Sequence, residues 1–358
     1  MVIHISTDKP YDVIVENGAL DRTGEAVKPL FKAGSQAMIV SETNVFPIYG
    51  ERLTQSLTAA GFRVSSFVFE AGEPQKQLST VMQMYEALSE HGFTRSDFIV
   101  TLGGGVAGDM GGFAAATFLR GIDFVQVPTS LLAQVDASVG GKTGVDLPFG
   151  KNLVGAFHQP RLVVSDPETL RTLPEHFFTD GMGEVIKYGC IMDGELFDKL
   201  EKGEVIDRME ATICRCVACK KVLVEEDTTD KGRRMTLNFG HTFGHALEKL
   251  TGFSALSHGR AVGIGMVMAA QVGESLGVTE MGTAARIRRV LENYGMPTES
   301  EFDFAEVVEA TALDKKSFGK TLNLILLKTI GDCEIHPIDR SYLVLRYKIA
   351  AEQNRRRK

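Results

Sequence analysis

Asp97-Phe-Ile-Val-Thr-Leu-Gly103-Gly-Gly105-Val-Ala-Gly108-Asp109-Met-Gly-Gly112-Phe-Ala-Ala-Ala116 decides how the first half of this chain is read. Residues 97–102 form a β-rich run that ends in turn residues, and the small, apolar run beyond Gly105 reads as a helix. Gly103, Gly105 and Gly108 fit G-x-G-x-x-G in the strand-to-helix context the motif requires, where bare backbone amides at a helix N-terminus can receive a pyrophosphate. The same glycines can serve tight packing instead, and the motif lies near residue 105 rather than on a first strand. Asp123 is the acid at about the distance where a ribose contact would fall.

On either side of this stretch, short apolar runs alternate with helical ones. Tyr11–Val15, Gln36–Val40, Arg63–Phe69, Asp123–Val127 and Arg161–Val164 are bounded by turn residues, as strands are, and the extreme N-terminus can add an antiparallel hairpin partner. Residues 49–60 and 77–91 repeat apolar positions at helical spacing, and Gly61 and Gly92 stand where a helix C-cap favours positive φ. This is an α/β layer pattern with mostly parallel pairing. Further along, Arg120 precedes Pro128-Thr-Ser-Leu-Leu-Ala-Gln-Val-Asp136-Ala-Ser-Val-Gly-Gly-Lys142-Thr-Gly-Val-Asp146 and Gly150-Lys151-Asn152. Two lysines and a neutral donor among accessible glycines suit a phosphate or another oxyanion.

After Pro174 the texture turns helical, with only 322–327 and 333–336 extended, as a small ribbon. The expected division is 1–172, an α/β nucleotide-binding domain, and 173–358, a mainly α-helical metal- and substrate-binding domain. Gly183-Glu184-Val-Ile-Lys187 sets an acid and a base one turn apart among glycines and apolar residues, which suggests burial, where a carboxylate needs a partner such as a metal. His241 and His245 share one helix face in Asn238-Phe-Gly-His-Thr-Phe-Gly-His245, and His258 follows in Ser257-His-Gly-Arg260. Glu184, His241 and His258 together make two imidazoles and a carboxylate, a catalytic zinc set with coordination positions open to substrate hydroxyls. His245 is then available for acid–base work or substrate contact.

The 358 residues suit about two domains, and the formal net charge of −7 argues against general nucleic-acid binding. No apolar run reaches the ~20 residues that span a bilayer, and the N-terminus lacks the order of a signal peptide. A cytoplasmic location is the expectation. The odd number of cysteines, five, fits it.

Taken in order, the 103–109, 128–143, 150–152, 183–187, 237–246 and 258–262 motifs resemble the 3-dehydroquinate synthase family, over about residues 70 to 330. The resemblance implies a homodimer, bound NAD, a divalent metal (zinc, with cobalt the other candidate) and a sugar-acid phosphate substrate. It implies conversion of 3-deoxy-D-arabino-heptulosonate 7-phosphate to 3-dehydroquinate and phosphate, by transient oxidation, β-elimination, reduction and intramolecular aldol closure. The family's metal ligands fall on Glu184, His241 and His258. Its NAD contacts fall on Gly104, Gly105, Val106 and Asp109, on Glu73 and Lys76, and near Glu42, Asn44, Thr129, Ser130 and Thr169 to Thr172, with Lys142 and Lys151 shared. Ribose contacts lie upstream of the glycine loop, so Asp123 drops out. Substrate and catalytic positions fall on Arg120, Asp136, Lys142, Lys151, Asn152, Lys187, Lys220, Arg234, Asn238, His245 and Lys315.

Within this resemblance Lys142, Lys151, Asn152 and Arg120 hold the phosphate, and Arg234 faces the substrate carboxylate, because a guanidinium matches it in two bonds. Three positions depart from the family's usual residues: Arg260 for Glu, Ser130 for Thr and Asp230 for Glu. Two other readings are a related cyclase acting on an amino analogue, and a metal-dependent polyol dehydrogenase that releases NADH.

Overall fold

The computed structural model describes residues 1–252, 255–311 and 321–344. The chain forms two compact units: residues 1–178 with 209–229, and residues 179–208 with 230–358.

The first unit is built on a seven-stranded sheet in the order β1-β2-β9-β6-β5-β3-β4, with β1 Val2–Ile5, β2 Tyr11–Val15, β3 Gln36–Glu42, β4 Arg63–Phe69, β5 Phe98–Gly103, β6 Asp123–Pro128 and β9 Leu162–Ser165. β1 pairs antiparallel with β2, and the other pairings are parallel. Both faces are covered, which explains the near-continuous apolar strands. On β3, Ala37 and Ile39 join one core with Tyr49, Leu53 and Leu57 of α2 (Phe46–Ala59). Met38 and Val40 join the opposite core with Val81, Met84 and Leu88 of α3 (Leu78–Glu90) and Met110, Phe113 and Ala114 of α4 (Gly105–Thr117). The period of two in β3 thus feeds two separate cores. Gly61 and Gly92 take the positive φ that ends α2 and α3, at 96° and 65°.

From β3 the chain runs to β4 on one side and re-enters as β5 on the other. Such a switch point opens a crevice at the carboxyl ends of neighbouring strands, the usual ligand position in doubly wound sheets. Asp123 begins β6, at the opposite end of the strand, and pairs with Arg161 at 3.8 Å, so its removal from the ribose role agrees with the topology.

Residues 142–157, expected as an accessible glycine loop, are instead an antiparallel hairpin of β7 (Lys142–Leu147) and β8 (Gly150–Phe157). A Cβ on Gly144 would stand 2.6 Å from the Val154 carbonyl oxygen, and one on Gly155 2.2 Å from that of Thr143, so these glycines let two strands approach. Lys142 pairs opposite Phe157, while Lys151 follows the turn where Leu147 meets Gly150. The two lysines therefore sit at opposite ends of the hairpin, about five residue positions or roughly 16 Å apart along the strand. The compact two-lysine anion loop read from the sequence is corrected to two separated cations.

The second unit holds most of α5 (Glu175–Ile191), α6 (Gly194–Glu201), α8 (His241–Leu250), α9 (His258–Leu276), α10 (Thr283–Asn293), α11 (Phe304–Ala310) and the antiparallel ribbon β10–β11 (Thr321–Thr329 with Asp332–Asp339). Helix α6 had no counterpart in the sequence reading. α9 is buried along most of its length, as its small-residue composition requires. Between α6 and α8 the chain returns to the first unit as α7 (Met209–Glu226). A single division at 172/173 therefore departs from the contact pattern in two respects: the boundary falls after Phe178, and α7 belongs with the sheet.

Candidate functional site

In the sheet unit, the glycines at the start of α4 divide by task. A Cβ on Gly108 would meet Gln126 Oε1 at 2.7 Å, and one on Gly111 would meet Thr101 Cγ2 at 2.5 Å, so these two seat α4 on β5 and β6. At Gly104 and Gly105 the nearest atoms would lie at 3.4 and 3.6 Å, ordinary contact, and both residues are only half-buried. Packing alone does not demand glycine there, and the bare amides leave room for a ligand to come close to the backbone. Val106 is half-buried beside them, and Thr129 donates its amide to the Gly103 carbonyl at 2.9 Å, which places Ser130 next to Gly104. Across the switch point, Glu42 ends β3 and accepts from the Asn44 amide at 2.6 Å.

The structure brings Glu73, Lys76, Asp109, Lys151 and Asn152 together with Asp146, a grouping the sequence reading did not make. Lys76 is buried, with its ammonium 2.7 Å from Asp109 and donating to Asn152 Oδ1 at 2.6 Å. Burial pushes the Asp109 carboxyl above its ordinary pKa, with Lys76 opposing. Lys151 lies 3.9 Å from Glu73. Asp146 accepts from the Asn152 amide at 2.6 Å and supports that residue at a φ of 53°, a conformation asparagine tolerates. Asp146 was quoted in the motif but given no role; its position near the end of β7, across the hairpin turn from Asn152, could have been read only once the strands were recognised. Arg120 is exposed, with a φ of 69°, and Leu119 before it has 52°; two consecutive left-handed residues store strain of a kind that gathers at functional sites. Elsewhere in this unit Lys220 of α7 is buried against Asp136, donating to its carbonyl at 2.7 Å and lying 3.1 Å from its carboxylate. Thr169 is buried with its hydroxyl already held by Gln134 and the Asp166 carbonyl, while Thr172 bonds Tyr49 at 2.5 Å. Lys142 is exposed at the open end of the hairpin.

In the helical unit, Glu184 and Lys187 share a face of α5 at 1% exposure each and form an ion pair. His241 Nε2 and His258 Nε2 lie 3.4 and 3.6 Å from the same oxygen, Glu184 Oε1. One atom from each of the three falls within 4.8 Å of the others. Burial opposes ionisation of Glu184, but Lys187 and His241 outweigh it and hold the carboxyl well below the usual carboxylate range. Burial would likewise lower His258, yet the Glu184 and Glu248 carboxylates raise it to about 10, a sign that positive charge belongs between them. Both Glu184 oxygens are sealed from water and make no hydrogen bond of proper geometry among the described residues. One carboxylate and two imidazoles with that unmet demand fit a divalent metal such as Zn2+ or Co2+.

Three elements set this geometry. Gly240 and Gly244 of the α8 segment meet the α9 backbone, where a Cβ on Gly265 would stand 2.0 Å from the Gly240 carbonyl oxygen. Asp180 of α5 accepts from the Gly259 amide at 2.6 Å, and Glu248 of α8 lies 3.6 Å from His258 Nδ1. Asp180 and Glu248 had no assigned role in the sequence reading. His245 is exposed, its ring 5.5 Å from that of His241 and 6.0 Å from that of His258. Arg234 is fully buried on the short helix 233–238, and Asn238 donates to the Met235 carbonyl at 3.0 Å. Lys315 lies outside the described residues.

The 3-dehydroquinate synthase N-terminal and C-terminal family models match residues 66–180 and 181–317. A 3-dehydroquinate synthase from Clostridium acetobutylicum is 46% identical over 334 residues, covering 92% of this chain and 94% of that protein. A 2-deoxy-scyllo-inosose synthase complexed with carbaglucose-6-phosphate, NAD+ and Co2+ superposes with a TM-score of 0.85 at 26% identity, covering 96% of this chain and 98% of that one. The 2-epi-5-epi-valiolone synthase of Streptomyces hygroscopicus, with NAD+ and Zn2+ bound, gives 0.84 at 26%, covering 96% and 97%.

A doubly wound sheet unit joined to a helical unit with a histidine–carboxylate set is thus the two-domain fold of the sugar phosphate cyclases. Within that class, the chain belongs to the 3-dehydroquinate synthase family. It is a carbon–oxygen lyase that converts 3-deoxy-D-arabino-heptulosonate 7-phosphate to 3-dehydroquinate and phosphate, a step of the shikimate pathway.

Proposed function

We propose that Glu184, His241 and His258 hold the divalent metal of this reaction and that the carboxyl edge of the sheet holds NAD. When bound, the metal supplies Lewis acidity and NAD accepts and returns a hydride. The observation that carries the reading is Glu184, buried at 1% exposure with two imidazole nitrogens facing one oxygen and no hydrogen bond to satisfy either. Among the nucleotide contacts, Gly104, Gly105, Glu42 and Asn44 flank the switch point, and Lys76 with Asp109 fixes the wall beside them.

The remaining assigned residues handle the substrate. Arg234 pairs with its carboxylate in two bonds. Arg120 and Lys142 bind the phosphate, and Lys151 and Asn152 stay with Glu73 and Lys76 on the nucleotide side. His245, exposed beside the metal set, holds or moves a proton at its ring nitrogen. Asp136 with Lys220, and Lys187, Asn238 and Lys315, orient the hydroxyls and exclude water. The working metal in this reading is Zn2+, with Co2+ a competent replacement, and the active form is a cytoplasmic homodimer. No described helix is long and apolar enough to cross a membrane.

The test is to incubate metal-loaded protein with the heptulosonate 7-phosphate and catalytic NAD+, following phosphate and NADH together. Phosphate release without accumulated NADH supports the cyclase. Stoichiometric NADH without phosphate means a polyol dehydrogenase and overturns the reading. Metal analysis of the purified protein decides between zinc and cobalt, and light scattering the oligomer.

A further inference from the structure

The first turn of a helix leaves amides without intrahelical acceptors, and the preceding residue usually supplies one. Helix α9 begins at His258 after Ser257, a residue type well suited to the task, yet Ser257 makes no side-chain capping bond. The acceptor comes from another helix. Asp180 Oδ1, on α5, takes the Gly259 amide at 2.6 Å and the Arg260 amide at 3.2 Å. The two backbones touch at the same place: a Cβ on Gly259 would stand 1.9 Å from the Asp180 carbonyl oxygen, and one on Gly183 2.8 Å from that of Gly259.

Asp180 lies one helical turn before Glu184, so both carboxylates address the same end of α9. One fastens the backbone on the C-terminal side of His258, and the other faces the His258 ring at 3.6 Å. A charged acceptor at a helix N-terminus is also favoured by the aligned peptide dipoles. We infer that Asp180 is a positioning residue for the metal set: it caps α9 from α5 and so fixes the distance between His258 and Glu184. Its Oδ1 bonds run to the α9 backbone. The inference rests on the reading of His258 as a metal ligand.

Capping and positioning are separable, because a cap can be supplied from within α9 itself. Zn2+ affinity is measured by chelator competition, and Co2+ absorption reports ligand geometry. Melting temperature of the metal-free protein reports helix stability. Asp180→Ala is expected to weaken Zn2+ by about 10- to 100-fold, the usual effect of removing a group that orients a ligand. Asp180→Asn, which keeps an acceptor oxygen, should recover most of that affinity. Asp180→Ala combined with Ser257→Asp restores a local cap; it is expected to recover melting temperature while Zn2+ stays weak and the Co2+ spectrum altered. If the double variant, or Asp180→Ala alone, binds Zn2+ as the parent does, the cap is only structural and the inference fails. His258→Ala is the control for the reading beneath it: loss of Zn2+ there upholds the ligand assignment, whereas parental affinity overturns the assignment itself.

Discussion

In the sheet unit, Lys76 reaches Asp109 at 2.7 Å and Asn152 at 2.6 Å, whereas in the helical unit Glu184 has two imidazole nitrogens at 3.4 and 3.6 Å and no proper hydrogen bond. Both regions bury charge. The first satisfies its groups internally and offers a finished wall; the second packs a carboxylate, already paired with Lys187, against two imidazoles without a hydrogen bond of proper geometry, a set that a metal ion would complete. The difference separates a surface built to be lain against from a set built to be completed.

Removing the centre of the incomplete set should have the largest effect. Glu184→Ala is expected to lose more than about 100-fold in metal affinity and to lose turnover with it, measured by metal analysis after dialysis and by phosphate release. Tight metal retained by that variant breaks the comparison outright. Next is Arg234, fully buried in the helical unit. Arg234→Lys should raise KM for the heptulosonate phosphate about 10- to 100-fold, because an ammonium cannot reproduce two parallel bonds to a carboxylate. An unchanged KM would move the carboxylate elsewhere.

In the finished wall the losses should register as stability. Lys76→Met leaves the Asp109 carboxylate without its ammonium and is expected to lower unfolding free energy by about 1–3 kcal/mol in urea titration. Adding Asp109→Asn should return part of it; no coupling between the two sites would show the pair to be incidental. Smallest is Asp97, a buried carboxylate at the head of β5 that bonds the Gln36 amide at 2.7 Å and the Thr94 amide and hydroxyl at 2.7 and 2.8 Å. Burial raises its pKa, but those donors prevail and hold it below its ordinary value. A carboxyl lowered in the folded state stabilises above its unfolded pKa of about 3.9, and the gain fades as pH falls through the folded value. Asp97→Asn should therefore cost about 1 kcal/mol at neutral pH and progressively less below about pH 4, read from urea midpoints at each pH.

The layer pattern was legible because short apolar runs bounded by turn residues and glycine caps are local signals: Gly61 and Gly92 end their helices as read, and all six strands proposed for the first half exist. The convergence of Glu184, His241 and His258 was legible because an acid among glycines and two histidines on small-residue helices are unusual company for a plain core. The hairpin at 142–157 was not, since its glycines were taken as ligand-facing when their task is strand contact, a distinction visible only across the pair. Asp180, Glu248 and Asp146 escaped for a related reason. Asp180 acts on Gly259, far along the chain, where no local pattern records a partner, whereas Glu248 and Asp146 reach His258 and Asn152 across turns the sequence reading did not place. The place of α7 escaped likewise, because a helix carries no mark of the unit it will join.

That last feature bears on synthesis. The chain passes between units at 178/179, 208/209 and 229/230, so neither unit is one uninterrupted segment. During translation Asp136 must wait for residue 220 before it meets Lys220, and by then α5 and α6 have already been made. No single cut separates the units cleanly, because a fragment ending at residue 229 that holds all of the sheet unit also carries residues 179–208 of the other.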